Sequence, residues 1–217
     1  MAAARDFIRD RIPFSTEAYK WAGHRRRRRA ALFQVETMLN SGRPIKLDVG
    51  GGYRPGSNGW TNVDTAFEAD LYWDLREGVP FPTGSVSAVF SSHLFEHLTF
   101  SEGQGLLAEI LRVLEPGGSM SIVVPNARLY LEAYVNGDKL PGEFFGWEPA
   151  FNDTTPIDMV NYVAYMDGEH KYMFDQENLL HVLSTAGFSG VKARDFDPET
   201  DLAERDYESI YAIGFKP

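Results

Sequence analysis

The sequence predicts an α/β fold with a mainly parallel sheet. Three observations lead there. Short apolar runs suited to buried strands recur along the chain, at 45–50, 60–64, 69–73, 86–91 and 119–124. Two stretches with helical spacing of apolar residues follow strands. The last two candidate strands, near 189–195 and 208–215, have no helix between them, which suits an antiparallel edge hairpin.

The N-terminal part reads as a helical segment over 1–44. Its regular stretch is 25–40, with Ala30, Leu32, Phe33, Val35 and Met38 as apolar contacts. Pro13 and Gly23 are expected to interrupt a longer helix, and Asn40, Gly42 and Pro44 to stop it. Arg25 to Arg29 form a basic run, expected to lie on a solvated helix face.

The strand Ile45 to Gly50 ends in Gly50-Gly51-Gly52. Ser101 and Gln104 have the form of a capping box, opening a helix with Leu106, Leu107, Ile110, Leu111, Val113 and Leu114 on its inner face. Pro116-Gly117-Gly118 is expected to end that helix. Residues 126–170 lose regular periodicity and read as an insertion rich in aromatics. Asp175 is an expected N-cap for a late helix carrying Leu179, Leu180, Val182 and Leu183, with Gly187 as its stop.

With 217 residues and no internal repeat, the whole chain 1–217 is expected to form one domain. A net charge of -10 argues against a nucleic-acid partner, which needs a basic face. The absence of cysteine excludes disulfides and thiolate-bound zinc. No run is apolar enough for a signal peptide or a membrane span, so a cytoplasmic location is expected.

The chemistry begins at Leu47-Asp48-Val49-Gly50-Gly51-Gly52. A strand delivers an acid, and glycines then let the backbone turn and approach a ligand closely. A dinucleotide fingerprint would need another glycine three residues after Gly52, where Pro55 stands, so a nicotinamide cofactor is disfavoured. Asp64, sixteen residues after Asp48, ends the next strand and could accept bonds from two ribose hydroxyls.

With Asn62-Val63-Asp64, Phe81 to Leu98 and Glu109 to Gly118 following in order, the sequence resembles the class I S-adenosylmethionine-dependent methyltransferases, in particular the group called type 11. The resemblance covers roughly 45–125 and resumes at 170–190. It implies a Rossmann-like sandwich with a mainly parallel seven-stranded sheet and a C-terminal antiparallel hairpin. It implies S-adenosylmethionine as cofactor, with Asp48 near the methionine amino group, Gly50 and Gly52 behind it, Asp64 on the ribose and Asp74 and Leu75 near the adenine. Ser91 and His93 would adjoin the sulfonium and acceptor. The seven residues 53–59 are too few for the usual first helix.

Each assignment has a plainer alternative. Asp48 or Asp64 could be a turn acid, Asp74 could pair with Arg76, His93 could cap the next helix, and Glu96 and His97 could support that helix's start. His93 and His170 are the candidate general bases, since an oxygen acceptor must lose a proton near neutral pH. His181 reads as helix surface or packing. The stretch 126–170 is expected to form a lid over the acceptor. Glu143, Glu148, Asp153 and Asp158 lie within it and, with a histidine, could hold Mg²⁺. A likeness to bacterial methyltransferases of glycan biosynthesis points to O-methylation of a saccharide hydroxyl, in polysaccharide biosynthesis. A small natural product, a lipid-linked acceptor, or a non-catalytic cofactor-binding role are the alternatives, and a homodimer stays open.

Overall fold

The computed structural model describes residues 13–138, 140 and 154–217, and side chains from 24 onward. Its centre is a seven-stranded sheet in the order β3-β2-β1-β4-β5-β7-β6. The strands are β1 (Lys46–Val49), β2 (Trp60–Asp64), β3 (Leu71–Tyr72), β4 (Val86–Ser92), β5 (Leu114–Pro125), β6 (Ser189–Ala193) and β7 (Ser209–Phe215). β1 to β5 pair in parallel, and β7 runs antiparallel to both β5 and β6. The predicted Rossmann-like sheet with its C-terminal hairpin is what the chain forms.

The helices are α1 (Pro13–Asn40), α2 (Phe100–Val113), α3 (Ala127–Asn136), α4 (Pro156–Tyr165) and α5 (Gln176–Thr185). Leu47, Val49, Val63, Val89, Met120 and Ile122 fill the sheet's buried positions. Leu107, Ile110 and Val113 of α2 and Leu179 and Leu183 of α5 pack into the same core. Each such side chain contributes about 1.5–3 kcal/mol when fully buried.

Four local expectations are corrected. α1 starts at Pro13 and runs through Gly23. Proline is tolerated in a first turn, and one interior glycine costs only about 1 kcal/mol. α2 is capped by Thr99 and Glu102, not by Ser101 and Gln104. The Thr99 hydroxyl accepts from the Glu102 N–H, and the Glu102 carboxylate accepts from the Thr99 N–H. Both pairs fit the pattern, but a charged carboxylate is the stronger acceptor. α2 then ends at Val113, before Pro116. Leu114 is extended and pairs with Val86, and the residue before a proline is itself biased to extended backbone.

The fourth correction concerns the arginines. Arg27 donates to the Ala66 and Phe67 carbonyls and stacks 3.9 Å above the Tyr72 ring. Arg28 stacks 4.3 Å above Trp73 and pairs with Glu77. His24 meets the Tyr72 hydroxyl at 2.9 Å. The basic run therefore clamps α1 onto the edge strand instead of facing only solvent.

The described parts of 126–170 are also more regular than expected. α3 and α4 pack on each other through Ala127, Tyr130, Ala133, Met159, Tyr162 and Val163, a cluster separate from the main core. Glu143, Glu148 and Asp153 lie outside the described residues, as do residues 1–12 of the N-terminal segment. Among the described residues, no helix is long and apolar enough to cross a membrane.

Candidate active site

β1 neighbours β2 on one side and β4 on the other, so the chain reverses its winding direction there. Parallel sheets open a crevice at such a point, at the carboxyl ends of the strands. No helix forms in 53–59; the chain instead makes a loop tied down by side chains.

Asp70 accepts from the Gly56 N–H at 2.8 Å and the Asn62 N–H at 2.9 Å. The Asn62 amide accepts from the Gly51 N–H and donates to the Gly52 carbonyl. Asp64 accepts from the Gly52 N–H at 3.0 Å and the Ala66 N–H at 2.8 Å. Each carboxylate oxygen has two lone pairs, so Asp64 keeps acceptor capacity for a ligand. Gly50 stands at φ 80°, and a Cβ there would lie 2.7 Å from Leu94. That combination requires glycine.

Asp48 lies on β1 between Asn62 and Phe90. Its Oδ1 is buried with no hydrogen-bond partner among the described residues. Burial is the main reason its carboxyl rises to about 6. Arg54 opposes this, and Asp64 and Asp70 add to it. A buried carboxylate oxygen left without a donor is costly, and an ammonium group would relieve it. The buried end of the crevice therefore fits a ligand that carries an ammonium group.

A cavity of about 400 Å³ runs over Gly50 to Arg54 to Ser92, His93, Leu202 and Tyr207. A second, of about 180 Å³, has walls from Asp64, Asp74, Leu75, Leu94 and Leu98. Asp74 caps the 3-10 turn Leu75–Glu77 and holds Arg76 through bonds of 2.9 and 2.7 Å. Those bonds pull its carboxyl below the usual range. Ser91 is fully buried, and its hydroxyl donates to the Val49 carbonyl at 3.0 Å. It fastens β4 to β1, while Ser92 and His93 beside it line the crevice.

The third cavity, of about 250 Å³, lies beside the glycine loop and shares His93 and Arg205 with it. His93, Glu96, His97, Tyr130, Tyr162, His170 and Glu208 line it. Both candidate histidines therefore reach one chamber, although 77 residues separate them. His93 holds a left-handed backbone, φ 53°, which is uncommon outside glycine and occurs at functional turns.

The two candidate bases differ in their bonding. His93 Nε2 lies 3.0 Å from the Ser209 hydroxyl, which itself donates to the Arg205 carbonyl. Ser209 must then accept from His93, so Nε2 carries a proton. Nδ1 faces the Glu96 carboxylate at 3.3 Å. Both nitrogens are thus engaged. His170 Nδ1 lies 2.8 Å from the Val163 carbonyl, which only accepts, so the proton sits there and Nε2 keeps its lone pair. Burial holds the His170 pKa below its ordinary value.

The tyrosines are poor bases. Burial pushes the Tyr162 phenol up to about 12, and burial with the nearby Glu208 pushes Tyr130 higher still. The Tyr130 hydroxyl donates to Glu208 at 2.6 Å.

Glu96 and His97, expected to support the start of the next helix, also border the chamber. Both sit on the 3-10 turn Phe95–His97 and face the chamber. Their signal was visible as an acid and a histidine just beyond a strand end. Tyr130, Tyr162, Arg205 and Glu208 gave no such signal. Asp158, a candidate Mg²⁺ ligand, instead accepts from the N–H groups of Thr154 and Thr155 at the start of α4. His181 is on α5, with its ring 3.4 Å from the Thr185 hydroxyl, away from these cavities.

Residues 68–122 match the family described as "Methyltransferase domain". No curated protein matches the chain. Among solved structures, an S-adenosylmethionine-dependent methyltransferase from Archaeoglobus fulgidus is 16% identical at a TM-score of 0.50, over 87% of this chain and 94% of that one. One from Mesorhizobium loti is 15% identical at 0.49, over 82% and 96%. A phosphoethanolamine N-methyltransferase of Haemonchus contortus, solved with phosphomonomethylethanolamine and S-adenosylhomocysteine, is 13% identical at 0.46 over 86% of this chain. The present chain spans 52% of that enzyme's length. At such identities the likeness is one of fold. The shared fold is the Rossmann-like sheet with its winding reversal at β1, and the family match covers about a quarter of the chain, across β4 and α2.

Proposed function

We propose that the protein is a cytoplasmic O-methyltransferase that acts on a hydroxyl of a small saccharide, in polysaccharide biosynthesis. The observation that carries this reading is the shared wall. His93 separates a glycine-loop crevice suited to the cofactor from a chamber with a bare imidazole nitrogen.

The assignment of residues follows the geometry. Asp48 would bind the amino group, Gly50 and Gly52 would let the cofactor lie close, and Asp64 would take the ribose hydroxyls. Asp74 and Leu75 would border the adenine, with Ser91 supporting the crevice floor. S-adenosylmethionine, when bound, supplies an already activated methyl group. The chain's own task is then to align the acceptor, exclude water and take its proton. His170 Nε2 is the acceptor of that proton. His93, fixed by Ser209 and Glu96, positions and polarises.

Tyrosine rings and a buried carboxylate are groups that pack and bond a sugar. A chamber of about 250 Å³ suits one sugar unit. α3 and α4 roof it through Tyr130, Tyr162 and Val163, consistent with an acceptor lid over 126–170.

The test is a methyl-transfer screen read by mass, with mannosides and other glycosides beside lipid-linked alcohols and amines. A product carrying one added methyl on a sugar oxygen supports the reading. Transfer only to an amine, or to a lipid alcohol and no glycoside, overturns the acceptor class.

A further inference from the structure

Three side chains in the chamber are arranged as metal ligands. A carboxylate oxygen of Glu96 and one ring nitrogen each from His97 and His170 all lie within 4.8 Å of one another. We propose that they bind a divalent transition-metal ion of the zinc class, with both imidazoles ligating through Nε2. The proposal rests on this chamber being the acceptor site, and with the ion bound His170 is a ligand and not the base.

The hydrogen bonds around the cluster set the ligand atoms. His170 Nδ1 faces the Val163 carbonyl at 2.8 Å, and His97 Nδ1 faces the Glu169 carbonyl at 3.1 Å. Carbonyls accept only, so each Nδ1 is protonated and each Nε2 presents a lone pair. Metal-bound histidines show this arrangement, in which the outer N–H is held by a carbonyl or carboxylate. The two rings meet edge to face with centroids 4.9 Å apart. His97 Nε2 is 3.9 Å from Glu96 Oε1.

Glu96 supplies the independent observation. The residue is 2% exposed, and its Oε2 has no hydrogen-bond partner among the described residues. An orphaned buried carboxylate oxygen is an expense that a cation would remove. The backbone fixes the cluster as well: the Glu96 carbonyl accepts from the Lys171 and Tyr172 N–H groups, so the two ligand-bearing segments are tied together.

The donor set selects the ion. Two imidazoles and one carboxylate suit zinc, iron or cobalt, whereas Mg²⁺ prefers oxygen ligands and keeps its water. A bond length near 2.1 Å holds tetrahedral ligand atoms about 3.4 Å apart, so atoms within 4.8 Å of one another need draw together by at most about 1.4 Å. Three protein ligands leave a position open to the chamber, where an acceptor hydroxyl could bind and become more acidic. The ion would occupy the lone pair of His170, so proton removal by His170 and metal binding are competing states of one nitrogen.

The experiment uses the full chain without an affinity tag, freed of metal by chelator and dialysis. Zn²⁺ and Co²⁺ are titrated in by calorimetry, with Co²⁺ also followed by its visible absorption and Mg²⁺ as the contrast. The expected result is one equivalent of Zn²⁺ or Co²⁺, a low-coordinate Co²⁺ spectrum and no comparable Mg²⁺ binding. His97→Ala, at a partly exposed position, should weaken Zn²⁺ at least tenfold while the circular dichroism stays unchanged. Glu96→Gln and His170→Ala should do the same where they fold. No stoichiometric Zn²⁺ binding, or unchanged affinity in folded His97→Ala, overturns the site. Because binding is read without any acceptor, Zn²⁺ binding with no sugar methylation would reject only the saccharide reading. Sugar methylation by a protein that binds no Zn²⁺ would reject only the metal.

Discussion

The glycine-loop crevice and the histidine chamber share a wall but are built in opposite ways. The crevice draws its central acids and glycines from one short stretch, Asp48 to Asp64, and its shape comes from backbone held by Asn62, Asp64 and Asp70. The chamber collects side chains from 93 to 208, brought together by the turn after β4, the α3–α4 pair and the approach to β7. The first can be lost by changing one backbone position. The second depends on side chains, and its chemistry can vary while the crevice stays the same. That separation explains how one fold can serve many acceptors.

The sharpest way to break the comparison is at His170. His170→Ala should lower turnover roughly 10²–10⁴-fold, the range for loss of a general base, and leave cofactor affinity unchanged. Steady-state kinetics beside calorimetry with S-adenosylhomocysteine checks both halves. A parallel loss of cofactor affinity would mean that the two regions are one site.

Asp64→Ala is the complementary change. It should cost on the order of 1.5–3 kcal/mol of cofactor affinity, roughly 10- to 150-fold, since it removes charged hydrogen bonds. Calorimetry showing unchanged binding would remove Asp64 from the crevice.

Asp48 gives a pH signature confined to the crevice. Its folded-state carboxyl, near 6, lies above the ordinary range for an aspartate. The cofactor ammonium needs the ionised form, so affinity should hold above about pH 7 and fall as pH drops through 6, by about tenfold at pH 5. The raised pKa has the opposite sign for the cofactor-free fold. Its stabilising effect is present below about pH 4 and lost as pH rises through 6. Asp48→Asn should therefore flatten the affinity profile and raise the cofactor-free melting temperature at pH 7. A profile that keeps its inflection in Asp48→Asn would assign the titration elsewhere.

The smallest effect belongs to neither region. Arg27→Ala removes stacking on Tyr72 and two bonds to backbone carbonyls. An exposed cation–π contact contributes about 0.5–1 kcal/mol, so the melting temperature should drop by roughly 1–4 °C with turnover retained. A large loss of turnover would couple α1 to the chemistry.

The same contrast governs what could be read from the sequence. Strand positions, the acid-glycine loop and the second acid were legible because each is local: an apolar run, a breaker and a charge within a few residues. The missing first helix followed from counting 53–59. The α3–α4 pair escaped because its buried residues face each other in a separate cluster, with many aromatics blurring the helical period. The roles of Arg27 and Arg28 escaped because the rings they cover, Tyr72 and Trp73, lie over forty residues away. Glu96 and His97 were visible as residues, but only the fold sets His170 beside them. Ser91 shows the converse: its place at a strand end was read correctly, while its hydroxyl turned inward to Val49.

The most direct measurement is a crystal structure of the chain with S-adenosylhomocysteine. The account predicts the amino group on Asp48, the ribose on Asp64 across the ends of β1 and β2, and the sulfur facing the chamber of His93 and His170. A nucleoside seated elsewhere, with Asp48 and Asp64 out of its reach, would contradict it.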